Sequence, residues 1–314
     1  MNIGILSTSS IAPRFIAAVR EEGSFQIIAL SSRTLEKARE KADAWDIPKA
    51  YGSHEELLAD KDVDIVYISA VNSAHYKWAK AALLAEKHVI CEKPCTTTEA
   101  QTRELFALAK EKGLFLMEAQ KMLFLPAVLD AKEAIQAGKL GKVRIAEFNH
   151  SFYGSYNNWM YDEAAGGGPL LSSAIYVVEL LQFLFDCPVA EVTGICTKHP
   201  GTNVEEQYVV SGKMENGVLF SMKNSTVAIM KNTACIYGEK AYVELPSYWK
   251  ARDVVFCDHS GTRMQKYPCD HELVYEVRHI AECFQKGLLE SPVVTGEFSA
   301  QAIRVLEQIR RQWN

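Results

Sequence analysis

"NIGILSTSSIAPRFIAAVREEG", residues 2–23, decides the fold. An apolar run of strand length, Asn2 to Leu6, meets a polar turn and then a segment whose apolar residues recur at three and four. That order is a strand feeding a helix, and the turn between them is where a dinucleotide-binding sheet carries the glycines of G-x-G-x-x-G. On that pattern the turn reads Ser7, Thr8, Ser9, Ser10, Ile11, Ala12, with serine at two of the three glycine positions. Glycine serves there for left-handed torsion and close backbone approach, and a Cβ costs on the order of 1 kcal/mol. This segment alone leaves two readings open: a phosphate cradle built without its glycines, or an ordinary strand-to-helix loop with Ser10 as the helix cap.

Working outward, "FQIIALS", "VDIVYIS", "KHVICE" and "LFLME" are short, nearly continuous apolar runs that suit strands buried on both faces. Between them "TLEKAREKADAWD", "SAHYKWAKAALLAEK" and "TTTEAQTRELFALAKEKG" carry helical periodicity, with Thr34 and Thr98 as N-caps and Gly23 and Gly113 just past the last turns. Strands alternating with helices predict an α/β domain, a doubly wound parallel sheet of the Rossmann type, over residues 1–120. After about residue 143 the pattern changes to two-fold alternation with hairpin punctuation, as in "MENGVL". The runs "KVRIAEFNHSF", "EVTGICTKH", "EEQYVVSGKME", "GVLFSMKNSTV", "NTACIYGEKAYVEL" and "DVVFCDHSG" predict a large, open, mostly antiparallel sheet. A helix from Pro169 to Phe185 interrupts it, and two more close the chain. The expected organisation is a dinucleotide-binding domain at 1–120 and an α+β domain for substrate and dimerisation at 121–297. The last helix, about 298–314, is expected to pack back on the first domain. A chain of 314 residues suits two domains of roughly 150 residues each.

A net charge of −5 with no run of Lys or Arg leaves no electrostatic footprint for nucleic acid or an anionic membrane, so the expected partner is a small molecule. The opening residues lack the layout of a signal peptide and no stretch has the length of a membrane span, which predicts a cytoplasmic protein. The eight cysteines then read as reduced thiols. Cys91 and Cys95 have a C-x-x-x-C spacing without partnering Cys or His, and buried sulfur is favoured over a metal site.

Chemistry collects at the ends of the predicted strands. "ALSSRT" places Ser32 and Arg33 about 20 residues past the first turn, where an acidic residue would select NAD; arginine there suits a 2′-phosphate, so NADP(H) is preferred over NAD(H). Asn72 and His75 follow the third run and Glu92, Lys93 and Pro94 the fourth, on the edge where open α/β sheets bind ligands. A charged pair directly after an apolar strand is hard to explain as packing.

At "CEKP" the chain resembles the Gfo/Idh/MocA oxidoreductases. The resemblance is carried by Asn72 to His75, Glu92 to Pro94, "AYGSHEELL", "GGGPLLSSAIY" (Gly166 to Tyr176) and "SPVVTGE", in order over nearly the whole chain. Within the family it is similar to the branch of dimeric dihydrodiol dehydrogenases and NADP-dependent xylose dehydrogenases. The resemblance implies a dinucleotide held by Ser7, Thr8, Ser9, Ser10, Ile11, Ser32, Arg33, Asn72, His75, Glu92 and Lys93, with Lys93 and Tyr176 catalytic. An ammonium beside a phenol favours the phenolate, which would make Tyr176 a usable proton acceptor through Lys93. Without the family, Tyr176 reads as a core aromatic on an apolar helix. Where the family has aspartate one turn before this tyrosine, the chain has Ser172. Lys121, Phe124, Tyr153, Tyr156, Trp159 and Tyr161 are the implied substrate wall, although such aromatics also build interfaces. The implied activity is hydride transfer between nicotinamide and a secondary alcohol, hemiacetal or vicinal diol of a sugar-like ring, in a homodimer formed through the open sheet or a tetramer. Two other readings are a dinucleotide-binding regulator that has lost catalysis with the aspartate, and an NAD-dependent glycosidase of the same family.

Overall fold

A computed structural model describes residues 1–152 and 158–313, which divide into two compact units: Met1–Gln120 with His271–Ala300, and Lys121–Asp270 with Gln301–Asn314. In the first, β1 (Asn2–Leu6), β2 (Gln26–Ser31), β3 (Lys49–Tyr51), β4 (Ile65–Ile68), β5 (His88–Glu92) and β6 (Leu116–Ala119) alternate with α1 (Ala12–Glu22), α2 (Leu35–Ala44), α3 (His54–Ala59), α4 (His75–Leu84) and α5 (Glu99–Lys112). The sheet order is β3-β2-β1-β4-β5-β6, parallel throughout. Order therefore reverses between β1 and β4, and the loops leaving those two strands flank the reversal. Ile3, Ile5, Leu6 and all of β4 are buried, as continuous apolar runs covered by helices on both faces must be. Thr34 and Thr98 cap α2 and α5 by accepting from Lys37 N and Gln101 N, and Gly23 and Gly113 take φ of 86° and 67° at the helix ends. Of the stretch "AYGSHEELL", taken through the resemblance as a strand region, only Ala50 and Tyr51 belong to β3; from His54 it forms α3, which was not expected.

The boundary near residue 297 is corrected at both sides. Helix α8 (Val274–Gln285) groups with the first unit and lies on α1; Phe284 meets Phe25 and Phe115, and Arg14 pairs with Glu272. Helix α9 (Gly296–Trp313) starts there, but from Gln301 onward it groups with the second unit. Trp313 Nε1 donates to Gly194 O and Gln312 Nε2 to Val192 O, each at 3.0 Å, so most of the helix expected on the first domain is fastened to the second. Helical periodicity shows that a face is buried; it does not say against what.

The second unit carries α6 (Pro126–Gln136), β7 (Val143–Ser151), α7 (Ile175–Phe185), β8 (Val189–Lys198), β9 (Glu205–Met214), β10 (Leu219–Ser225), β11 (Thr233–Gly238), β12 (Ala241–Pro246), β13 (Asp253–Asp258) and β14 (Gly261–Lys266). Its sheet runs β14-β13-β12-β11-β7-β10-β9-β8, antiparallel except where β10 joins β7. "NTACIYGEKAYVEL" resolves into the hairpin β11–β12, and β14, exposed at every residue, has no apolar alternation by which to be read. Alternate residues of β7 (Ala146, Phe148, His150) are buried, leaving the other face to Ile145. In register, Ile145 stands beside Leu219 and Val209 beside Ile195, the last 75% exposed; across the β9–β10 seam Leu219 faces Lys213 and Val209 faces Lys223, so the open face carries two separate aliphatic pairs. Among the described residues no helix is long and apolar enough to cross a membrane.

Candidate functional site

In the first unit the expected cofactor residues gather at the carboxyl ends of β1, β2, β4 and β5. Ser7 leaves β1 with φ 91°, the conformation for which glycine is normally required. Its N–H donates to Ser31 O at 3.2 Å, and Ser9 Oγ meets Ser69 Oγ at 2.7 Å, so the turn is tied to β2 on one side and to the loop after β4 on the other. The Ser10 cap is corrected: α1 is preceded by Ile11, has proline in its first turn and has no side chain capping it. Those are the features of a helix terminus open to an anionic ligand. The turn therefore keeps the shape of a dinucleotide cradle, with Ser7 bearing the torsional strain that a glycine would avoid.

At the end of β2, Ser32 is buried with its N–H on Tyr51 O, and Arg33 is exposed. Ser31 Oγ is 2.8 Å from His54 Nδ1, and the His54 ring stands edge-on to Trp78 at 4.7 Å, with Lys77 Nζ 4.3 Å above the indole. Burial holds the His54 pKa down, Glu55 opposes this, and the charges of Lys77 and Arg33 lower it further. Two cations thus bear on the rim of β2. Sequence reading found only Arg33, because Lys77 lies on α4, more than forty residues on.

The other two strand ends divide. Asn72 is buried at the head of the turn after β4. His75, expected on the cofactor, is 1% exposed, with Nδ1 2.8 Å from Pro94 O and Nε2 2.9 Å from Ala70 O. Both ring nitrogens face main-chain carbonyls, so His75 holds the loops after β4 and β5 together. Glu92 Oε1 accepts from Tyr67 Oη at 2.6 Å, and the Tyr67 ring stacks on Phe15 at 3.7 Å. A buried phenol, pushed well up by its burial and by Glu92, thus orients the carboxylate that precedes Lys93. Cys91 and Cys95 are buried free thiols, and among the described residues no cluster of three side chains could hold a metal.

In the second unit the apolar helix predicted from Pro169 begins as a π-turn, Leu170–Ala174, that runs into α7. The glycines before it are sterically required: Gly168, at φ 98°, leaves no room for a Cβ beside the Glu205 carboxylate. Glu205 Oε1 in turn accepts from Leu170 N at 2.7 Å, and burial raises its pKa. Ser172, in the aspartate position, donates to Gly168 O at 2.7 Å. Tyr176, one turn on, is 6% exposed, and Lys121 Nζ donates to its Oη at 2.9 Å. Lys121 and the buried Phe124 bound a short helical turn that follows β6. Tyr248, buried and with its phenol pushed up by burial and by Tyr176, shares a 3.2 Å hydrogen bond with His150 Nδ1. The imidazole of His150 lies flat on Trp249 at 3.9 Å. Tyr248 and His150 had no sequence signal, being an aromatic and a strand residue 98 positions apart. Trp159 is half-buried and Tyr161 stacks on His199 at 3.8 Å, while Tyr153 and Tyr156 lie outside the described residues.

Residues 1–120 match the model of the oxidoreductase family with an NAD-binding Rossmann fold, and residues 128–244 match the GFO/IDH/MocA C-terminal domain. Mouse trans-1,2-dihydrobenzene-1,2-diol dehydrogenase (Mus musculus) is 32% identical over 320 residues, spanning 98% of this chain and 95% of its own. Two solved structures share the fold: a 3-ketoreductase from Actinomadura kijaniata in complex with NADP, at TM-score 0.90 and 21% identity over 100% and 98% of the two chains, and a levoglucosan dehydrogenase in complex with NADH, at TM-score 0.89 and 18% identity over 99% and 96%. Both family models match in order and the mouse relative spans nearly the whole chain, so the chain belongs to the Gfo/Idh/MocA oxidoreductase family.

Proposed function

We propose that the chain is an NADP(H)-linked dehydrogenase acting on a carbinol of a sugar-like ring or cyclic vicinal diol. The observation that carries the cofactor preference is the pair of cations, Arg33 and Lys77, that bear on His54 at the end of β2, where an NAD-selective sheet places a carboxylate. The turn Ser7–Ile11 would hold the pyrophosphate on its main-chain amides and the helix terminus, with serine hydroxyls adding donors. A bound nicotinamide would supply the hydride acceptor and donor for this chemistry. Tyr176 takes the hydroxyl proton during oxidation and gives it back during reduction, and Lys93 stabilises the alkoxide. Phe124, Trp159 and Ser172 are assigned to the substrate, and the dihydrodiol named for the mouse relative supports a cyclic diol as its class.

The exposed aliphatic pairs Ile145–Leu219 and Val209–Ile195 support a homodimer through the open sheet, because a partner would take them out of water. The deciding experiment follows nicotinamide absorbance with NADP+ and NAD+ against a panel of aldoses, inositols and cyclic diols. Formation of NADPH from a ring polyol, faster than formation of NADH, is the expected result. Failure of the chain to bind either dinucleotide would overturn the proposal.

A further inference from the structure

We propose that the ammonium acting on Tyr176 is that of Lys121, which thereby sets the protonation of the phenol from inside the second unit; this rests on reading Tyr176 as the proton-transferring group. The resemblance gives that charge to Lys93 and leaves Lys121 as part of the substrate wall. The geometry points elsewhere. Lys121 is 9% exposed and Tyr176 6%, so the two polar ends meet out of bulk water. The amine donates to the phenol oxygen at 2.9 Å, and its nitrogen lies 5.0 Å from the ring centroid. A donor aimed at the oxygen stabilises the phenolate twice over, by hydrogen bond and by charge, and low local dielectric strengthens both. A mere wall residue would have no reason to bury its ammonium, since lysine usually keeps its head in water.

Charged and titratable groups on the neighbouring elements have places of their own. The short turn Tyr248–Lys250, packed on the turn that carries Lys121, supplies Tyr248, bonded to His150, and Lys250, whose amine lies 5.9 Å over Trp249. From α6, Asp130 accepts from Tyr267, Lys132 pairs with Asp186, and Glu133 is exposed. Glu179 lies further along α7, and β8, which packs on α7, carries Glu191, Cys196 and Lys198. Lys121 is thus a positioning residue: it acts on the reacting hydroxyl through Tyr176. Lys93 then serves the substrate oxygen, which divides between two lysines what one was expected to do.

The test uses the whole chain and three substitutions, Lys121→Met, Lys121→Gln and Lys121→Arg. Near-ultraviolet absorbance titration of tyrosinate, with Tyr176→Phe subtracted to isolate the one phenol, reads the pair without any substrate. In Lys121→Met the Tyr176 midpoint should rise by about 1–3 pH units, the range that a neighbouring opposite charge commands. Lys121→Gln keeps a donor without the charge and should rise nearly as far, which also covers a Met variant that fails to fold; Lys121→Arg should return the midpoint towards that of the parent. In turnover the limb of the kcat/KM profile that reports the deprotonated group should move to higher pH by the same amount, with KM for the dinucleotide unchanged. A folded Met or Gln variant whose Tyr176 midpoint stays in place overturns the proposal. If the midpoint moves but the parent chain turns over no alcohol with either dinucleotide, the pairing stands and the reading of Tyr176 as proton carrier falls.

Discussion

The turn after β1 and the head of α7 are built from opposite materials. The turn holds its shape through main chain: Ser7 N on Ser31 O, a helix terminus without a side-chain cap, and one hydroxyl pair between Ser9 and Ser69. At the head of α7, by contrast, side chains meet side chains: Lys121 on Tyr176, and Tyr248 on His150. Amide donors and a helix dipole do not depend on which residue bears them, so a main-chain site survives the exchange of glycine for serine at modest cost. A buried side-chain pair has no such tolerance, because removing one partner strands the other.

The comparison breaks most sharply on the second region. Tyr176→Phe removes one hydroxyl from a buried site and should lower kcat by about 10²–10⁴-fold, the range for loss of a positioned acid–base group, with dinucleotide binding nearly unchanged by fluorescence titration. Lys93→Met should likewise abolish turnover and spare binding. Unchanged turnover in either variant would remove that residue from the chemistry. Next in size is the rim of β2. Arg33→Asp replaces attraction by repulsion at an exposed position, where screening keeps charge effects near a kilocalorie per contact. KM for NADP+ should rise by roughly tenfold or more, against a much smaller change for NAD+, and the rise should shrink as salt is added. Equal changes for both dinucleotides would remove the case for phosphate recognition there.

How much of this could be read beforehand follows the same division. The parallel sheet was legible because "NIGIL", "FQIIALS" and "VDIVYIS" are apolar without a break and turn chemistry punctuates them; Thr34, Thr98, Gly23 and Gly113 took the places that capping physics gives them. α3 and β14 were not legible, the one a six-residue helix directly after a short strand and the other exposed throughout. Helices α8 and α9 were visible, but not their partners, since an amphipathic face names no neighbour. The candidate residues at strand ends were named from topology, since open α/β sheets bind ligands at that edge. The two carbonyls that face the His75 ring had no signal in the sequence. The pairing of Lys121 with Tyr176 joins residues 55 apart through two turns of irregular geometry, and no periodicity records that.

The smallest expected effect probes the main-chain site where it departs from the family. Ser7 holds φ 91°, a conformation that costs a residue with a Cβ about 1–2 kcal/mol. Ser7→Gly relieves that strain but adds freedom to the unfolded chain worth about 0.5–1 kcal/mol. The first unit should gain at most about 1.5 kcal/mol, or an upward shift of no more than about 3–6 °C in its unfolding midpoint. The amides of the turn and the terminus of α1 are untouched, so affinity for the dinucleotide should stay within about twofold. A tenfold loss of affinity in a chain that remains folded would mean that the Ser7 hydroxyl, and not the backbone, grips the phosphate. The serine turn would then be a replacement for the glycine cradle, and not a strained copy of it.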